Sequence, residues 1–261
     1  MKIRLLNENL ASDLCWLAEY GFSAWIEYGD TNILFDTGWS DVWRRNAETA
    51  HIDLDKVDVI ALSHFHSDHS RGLLFHSFTQ KKKLVLHPRV KTALLDPFIE
   101  PVDRHLPHKY AEIEQKISAD FQVVEAQNPL EFAPGAFFLG QIPRVTPFER
   151  GYYYEDPMDD DTALAFRTES GAVVVTGCSH SGICNICTYA KEVTGQDLYA
   201  VIGGFHLVNQ EKPAVNETIE WFRTEKIPHL LPVHCVSFDI QARLQTEFGY
   251  ERPGAGSLIE L

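Results

Sequence analysis

Positive charge is the scarcest feature of this 261-residue chain: 23 Lys and Arg stand against 37 Asp and Glu, a formal net charge of −14 with His neutral. A protein whose main task is gripping phosphate backbones needs clustered Lys and Arg, so nucleic acid is not an expected partner. The one basic run, Lys81-Lys82-Lys83, reads as the solvated entry to the strand-like Leu84-Val85-Leu86. Long apolar runs are missing as well. Glu8 and Asp13 interrupt the first residues before such a run can build, so neither a secretory signal nor a transmembrane helix is expected, and the expected location is the cytoplasm. Cysteines are few and odd in number, five spread from Cys15 to Cys235, which does not fit the disulfide framework of a small secreted protein. No repeat at a fixed period is legible, which excludes a solenoid.

What is present suits a globular enzyme-sized chain. With 44% hydrophobic and 11% aromatic residues it has the material for one substantial α/β domain over 1–261, with its own core. Strand-like runs fall at 3–6, 22–28, 32–35, 57–62, 121–125, 136–139, 162–167, 172–176, 199–202 and 229–233. Helical patterns occupy 183–193, part of 214–224, and 240–248, and a helix is expected to begin within 72–78. Two sheets between helices, an αββα sandwich, fit this order. The stretch 88–116 departs from it, being rich in Pro, His and charge with helical spacing only after Lys109. It reads either as a lid over the active face or as a solvated connector.

The densest chemistry lies at Ser63-His64-Phe65-His66-Ser67-Asp68-His69, directly after the apolar run 57–62. Three imidazoles and a carboxylate on the loop at a strand end form a metal-binding pattern for zinc, manganese or iron, and the spacing lets one turn feed two ions. His64 and His66 would face one ion while Asp68 and His69 face a second, as in two-metal hydrolysis.

H-x-H-x-D-H after a hydrophobic strand resembles the signature of the metallo-β-lactamase superfamily. Asn32-Ile33-Leu34-Phe35-Asp36-Thr37-Gly38 is similar to the early LFDTG strand end of that superfamily. Val173-Val174-Val175-Thr176-Gly177-Cys178-Ser179-His180-Ser181-Gly182, Ile202-Gly203-Gly204-Phe205-His206-Leu207 and His234-Cys235 resemble, in order, the TGCSHxG, IGGFHL and HC of its 7,8-dihydropterin-6-methyl-4-(β-D-ribofuranosyl)aminobenzene-5'-phosphate synthase-like branch. The resemblance implies the αββα metallo-β-lactamase fold, one or two divalent ions, zinc foremost, and the ligands His64, His66, Asp68, His69, His180 and His234. It implies that His234 closes the ligand order. Cys178 occupies the place where a bridging Asp is usual, and it is either a thiolate ligand or a small buried thiol beside the site. His206 is expected to touch metal or substrate, or to hydrogen-bond a ligand; Asp36 is expected to orient the metal loop, because a ligating histidine needs its other nitrogen fixed.

The chain departs from the superfamily in one respect: the middle histidine, usually in a GHT, has no counterpart in 137–167. That region holds Asp159-Asp160-Asp161 before Thr162-Ala163-Leu164, similar to the DDxAL of the same branch. Three aspartates in a row read as a solvated turn, with completion of the site by an oxygen ligand as the alternative. Cys184-Asn185-Ile186-Cys187 is a C-x-x-C at a predicted helix start, where the dipole lowers a thiol pKa, but packing is the preferred reading over redox chemistry.

The function implied is a metal-dependent hydrolase-fold enzyme in which a bound ion lowers the pKa of water for attack on an ester, lactone or phosphate ester, with Asp68 as the catalytic carboxylate, or a pterin-related synthase. Its substrate would be a small anionic or heterocyclic molecule met by Arg104 or His108 of the insertion and by Tyr152, Tyr153 and Tyr154. The competing classes are a non-catalytic metal-stabilised binding or sensing protein and a di-iron redox protein. Oligomeric state stays open.

Overall fold

The computed structural model describes residues 1–95, 109–149, 156–208 and 214–261. Thirteen strands and seven α-helices follow one another among them. First come β1 (Lys2–Asn7), β2 (Ser23–Tyr28), β3 (Thr31–Phe35), α1 (Val42–Thr49), β4 (Val59–Ala61), α2 (Ser67–Ser70), β5 (Lys82–Leu86), α3 (Pro88–Leu95), α4 (Lys109–Asp120) and β6 (Phe121–Glu125). Then follow β7 (Leu130–Ala133), β8 (Ala136–Phe138), β9 (Ala163–Arg167), β10 (Ala172–Thr176), α5 (Ile183–Thr194) and β11 (Leu198–Gly204). The series ends with α6 (Ala214–Glu225), β12 (His229–Val233), α7 (Phe238–Phe248) and β13 (Leu258–Glu260).

The chain forms two compact units, Met1–Gln127 with Gly254–Leu261, and Asn128–Pro253. The first is built on a seven-stranded sheet in the order β13-β1-β2-β3-β4-β5-β6. Its outer strands β13, β1, β2 and β3 pair antiparallel, whereas β3, β4, β5 and β6 run parallel. Ile3 and Leu5 alternate into the core on β1, and Ile33, Leu34 and Phe35 are buried together on β3, as expected for a strand covered on both faces. Helix α1 lays Val42, Trp43, Asn46 and Ala47 inward at helical spacing and packs against β1.

The second unit carries a six-stranded sheet in the order β12-β11-β10-β9-β8-β7. Here β10, β11 and β12 are parallel and the remaining pairs antiparallel. Every residue of β10 is buried, and α5 packs across β9, β10 and β11 through Ile183, Ile186, Cys187 and Ala190. On α6, Val215, Thr218, Ile219 and Phe222 face the same core at i, i+3, i+4 and i+7.

Two sequence expectations are corrected. The stretch from residue 88 is helical at once: Pro88 opens α3, because proline at a first helical position gives up only an N–H that has no intrahelical partner, and Val90 and Ala93 bury its inner side. The proposed lid residues Arg104 and His108 lie outside the described residues, as do Tyr152, Tyr153 and Tyr154. No helix begins within 72–78 either. The helical turn starts earlier, inside the metal motif at Ser67, and continues as a 3₁₀ turn over Arg71–Phe75.

Candidate metal centre

Because β3, β4 and β5 are parallel, their carboxyl ends open on one edge of the first unit's sheet. Each end delivers a polar group: Asp36 after β3, Ser63 to His69 after β4, and His87 after β5. Asp36, Ser63, His64 and His69 are fully buried, and His66 and Asp68 nearly so, a density of polar groups that burial tolerates only when they are partnered.

Asp36 organises this constellation. Its Oδ1 accepts the Ser63 backbone N–H at 2.7 Å, and its Oδ2 accepts the Ser63 hydroxyl at 2.7 Å and meets His69 Nδ1 at 2.7 Å. A carboxylate only accepts, so His69 Nδ1 carries the proton and the lone pair is left on Nε2. Ser63 has one hydroxyl hydrogen and gives it to Asp36. Its 2.8 Å contact with His64 Nδ1 is therefore donated by the imidazole, and His64 too presents an Nε2 lone pair. The His64 ring centroid lies 4.6 Å from that of His66 and 4.2 Å from that of His69, and His69 Nε2 is 3.6 Å from Asp68 Oδ2. Sequence reasoning placed all four ligand candidates on a loop. In the structure His64 and His66 are on the loop, whereas Asp68 and His69 ride α2, where the N–H groups of His69 and Ser70 both bond the His66 carbonyl at 3.0 Å.

In the second unit the carboxyl ends of β10, β11 and β12 deliver Cys178 to His180, His206, and His234 with Cys235. Cys178 Sγ lies within 4.8 Å of a ring nitrogen of His180 and of one of His234, and the His180 and His206 rings are 4.3 Å apart. The Cys235 thiol donates to the Cys178 carbonyl at 3.3 Å, and its sulfur accepts the His206 N–H at 3.3 Å. Gly204 lets these strand ends close up: a Cβ there would sit 2.6 Å from Cys235 Sγ and 2.4 Å from the Gly177 carbonyl. Left-handed backbone at non-glycine residues marks the same places. Asp36, Ser179, His206 and His234 have φ of 56°, 65°, 49° and 53°, four of the seven such residues among those described. Strained conformations of this kind persist where surrounding structure enforces them, and they cluster at functional sites.

A polar belt that the sequence did not announce holds the loop between β10 and α5. Asp160 and Asp161 are fully buried, which corrects the expectation of a solvated turn; Asp159 alone stays partly exposed, 3.9 Å from Arg144. Asp161 Oδ2 accepts both the N–H (2.8 Å) and the hydroxyl (2.5 Å) of Ser181, and burial pushes its pKa above the ordinary value of 3.8. Glu149 accepts the backbone N–H groups of Cys184 (3.1 Å) and Asn185 (3.0 Å), capping α5 from outside the helix, and burial raises its pKa above 4.5. Asn185 ties the belt together, donating to the Ser181 carbonyl at 2.8 Å and accepting from Val145 and Thr146 N–H. Cys184 and Cys187 are buried in the core, and burial raises both thiols, outweighing the helix dipole. That accords with packing and opposes a redox C-x-x-C.

Glu149 and Asn185 were missed because a lone Glu in a loop and an Asn inside a C-x-x-C carry no pattern. His87 was missed too, though a buried histidine closing an apolar strand just before a proline was a usable signal; its Nδ1 accepts the Arg89 N–H at 3.2 Å. The donor chemistry fits a divalent ion. Imidazole nitrogens with Nδ1 already bonded, a carboxylate and a thiol match zinc, and the imidazoles and carboxylate also suit manganese or iron.

Comparison with known proteins points the same way. The family model described as the metallo-beta-lactamase superfamily matches residues 17–207. A protein of Methanocaldococcus jannaschii named 7,8-dihydropterin-6-methyl-4-(beta-D-ribofuranosyl)-aminobenzene-5'-phosphate synthase is 28% identical, over 100% of this chain and 96% of that protein. An uncharacterised protein of the same organism is 29% identical, over 98% of this chain and 99% of that protein. Among solved structures, that of Tm1679, described as a metal-dependent hydrolase of the beta-lactamase superfamily, superposes with a TM-score of 0.81 at 27% identity, covering 100% of this chain and 99% of that one.

Proposed function

Because the chain belongs to the metallo-β-lactamase superfamily and carries its fold, we propose that it is a metal-dependent enzyme acting on a small molecule, with His64, His66, Asp68, His69, His180 and His234 as ligands of one or two divalent ions, zinc foremost. The whole chain, 1–261, is taken as one metallo-β-lactamase domain, since the family match runs through both units. The observation that carries the proposal is the constellation around Asp36: one buried carboxylate fixes His69 directly and His64 through Ser63, so both imidazoles present Nε2. Such preparation has no purpose in a merely polar loop. In the second unit, the closeness of Cys178 Sγ to ring nitrogens of both His180 and His234 supports the thiolate reading of Cys178. His206 is assigned the neighbouring role of steadying His180, its ring partner.

Bound there, a divalent ion supplies a Lewis acid and brings the pKa of water toward neutrality. The protein's own part is to orient and to move protons. Asp68 Oδ2, beside His69 Nε2, is placed to accept a hydrogen bond from the attacking water and so to aim it at the ester, lactone or phosphate ester of the substrate. Asp36 and Ser63 keep the imidazoles from rotating, and their burial excludes bulk water from the bases of the ligands. A synthase reaction on a pterin-related substrate belongs to the same proposal, supported by the 28% identity to the archaeal synthase. The substrate is proposed to be anionic or heterocyclic, for an anion would find its positive charge at the ions rather than on this acidic chain. No disulfide joins the five cysteines, which suits a reducing compartment and a cytoplasmic location.

The test is to strip the protein with chelator and assay it on phosphodiesters, lactones, thioesters and pterin phosphates before and after adding zinc or manganese. Metal-restored turnover on one class supports the proposal. Full metal binding with no turnover on any class favours a non-catalytic metal-stabilised protein instead.

A further inference from the structure

Asp161 takes no direct part in the ligand set, yet it is fully buried, and burial penalises its charge. Such a group persists where it does something a neutral residue cannot. Its Oδ2 accepts the Ser181 N–H and hydroxyl, and the nearby backbone N–H of His180 favours the ionised carboxylate. Its Oδ1 has no hydrogen-bond partner among the described residues. The carboxylate's hydrogen bonds thus go to Ser181, the residue next to His180 at the tip of the loop between β10 and α5.

That tip is held from the other side as well. Ser179 Oγ donates to the Gly204 carbonyl at 2.6 Å, and the Cys178 carbonyl accepts the Cys235 thiol. Between these anchors the backbone turns through Ser179 at φ 65°, a conformation that persists only where surrounding structure holds it, and through Gly182 at φ 95°, which glycine adopts freely. Gly182 has a second reason to be glycine, because a Cβ would lie 2.4 Å from Glu149 Oε2. Behind Asp161 the chain is itself braced: Arg144 donates to the carbonyls of Pro157 and Met158, and the Met158 carbonyl accepts the Asp161 N–H at 3.2 Å.

We propose that Asp161 is a positioning residue that sets the direction of His180, and with it the Cys178 thiol, toward a bound metal ion. This rests on the assignment of His180 and Cys178 as ligands made above. It assigns the buried Asp161 a task that neither a solvated turn nor an oxygen ligand describes. Outer partners of metal ligands typically alter affinity by about 10–100-fold, and Asp161 acts at that level.

The experiment is a titration of chelator-stripped protein with cobalt(II), which reports ligand geometry by its visible absorption and thiolate bonding by a charge-transfer band. Five proteins are compared: wild type, Asp161→Ala, Asp161→Asn, Ser181→Ala, and Cys178→Ser, which identifies the thiolate band. Asp161→Ala is expected to weaken cobalt binding about 10–100-fold and to shift the band of the saturated protein. Asp161→Asn keeps one acceptor oxygen for Ser181 while losing the charge and turning the other oxygen into a donor, so it should fall between Asp161→Ala and wild type. If Asp161→Ala does not fold, Ser181→Ala, which removes one of the two side-chain-mediated contacts, must still shift the band. Variants that fold, melt lower and keep the wild-type affinity and spectrum would overturn the proposal, since that is the outcome of a purely structural role. A wild type that binds no cobalt overturns the ligand assignment itself, and this inference with it.

Discussion

Asp68 and Asp36 are neighbouring buried acids with different tasks, and substitution separates them. Asp36 touches only protein donors, so Asp36→Ala leaves the Ser63 N–H, the Ser63 hydroxyl and the His69 Nδ1–H without their acceptor in the interior. An unsatisfied buried donor costs about 1–3 kcal/mol, and an outer partner of a metal ligand about 10–100-fold in affinity. Asp36→Ala should therefore both melt earlier and bind zinc more weakly, as read by calorimetry and a competitive zinc indicator. Asp68 Oδ2 lies 3.6 Å from His69 Nε2, on the side of that ring away from Asp36. Asp68→Asn keeps the shape, so much of the metal should stay, while kcat falls on the order of 10²–10⁴-fold with the loss of its proton-accepting oxygen. Unchanged turnover in Asp68→Asn would remove that role. Asp36 was legible as a residue that orients the loop, since LFDTG places it at a strand end, but its hydrogen bond to Ser63 was not. A serine preceding a histidine motif looks like a linker until the register of β3 and β4 brings it beside Asp36.

Helix α5 and the segment that caps it carry the next set of expectations. Glu149 is pushed above its ordinary pKa of 4.5 by burial, so the folded state binds its proton more tightly than the unfolded chain. Its contribution to stability is accordingly greatest at low pH and is lost as pH rises from 4.5 through the raised folded value. Glu149→Gln removes that proton exchange. The stability of wild type relative to this variant, followed by denaturant unfolding of the metal-free protein, should fall with rising pH across that window, and a pH-independent difference would contradict the assignment. The cysteines of α5 give a second test. Cys184 and Cys187 are buried with raised pKa values, while Cys15 is exposed. A thiol-alkylating reagent should label Cys15 first and reach Cys184 and Cys187 only on unfolding; rapid native-state labelling of α5 would revive the redox reading. The period of α5 was plain in the sequence because Ile183, Ile186, Cys187 and Ala190 repeat on one face. Its cap was not, because the capping group is a loop residue more than thirty positions earlier. Likewise α3 went unseen because Pro88, Arg89 and Lys91 break up the apolar pattern around its buried Val90 and Ala93.

For the chain as a whole, the strands other than β7 and β13 were readable as short apolar runs bounded by turn residues, and the parallel ones end in the candidate site residues. Unit by unit this recurs: β3, β4 and β5 end in Asp36, the histidine cluster and His87, and β10, β11 and β12 end in Cys178 with His180, His206 and His234. Ordered motifs revealed the ligand candidates, whereas the burial of Asp160 and Asp161 depends on contacts between distant segments that no local pattern encodes. The central claim is that the histidine cluster after β4 binds metal. The most direct measurement is the metal content, by inductively coupled plasma mass spectrometry, of wild type and of the His64→Ala, His66→Ala double variant after loading with zinc and removal of excess. One or two ions per wild-type chain are predicted, with a fall of more than about tenfold in the double variant, since losing ligands themselves exceeds the cost of losing their outer partners. Full wild-type stoichiometry in a folded double variant would contradict the account.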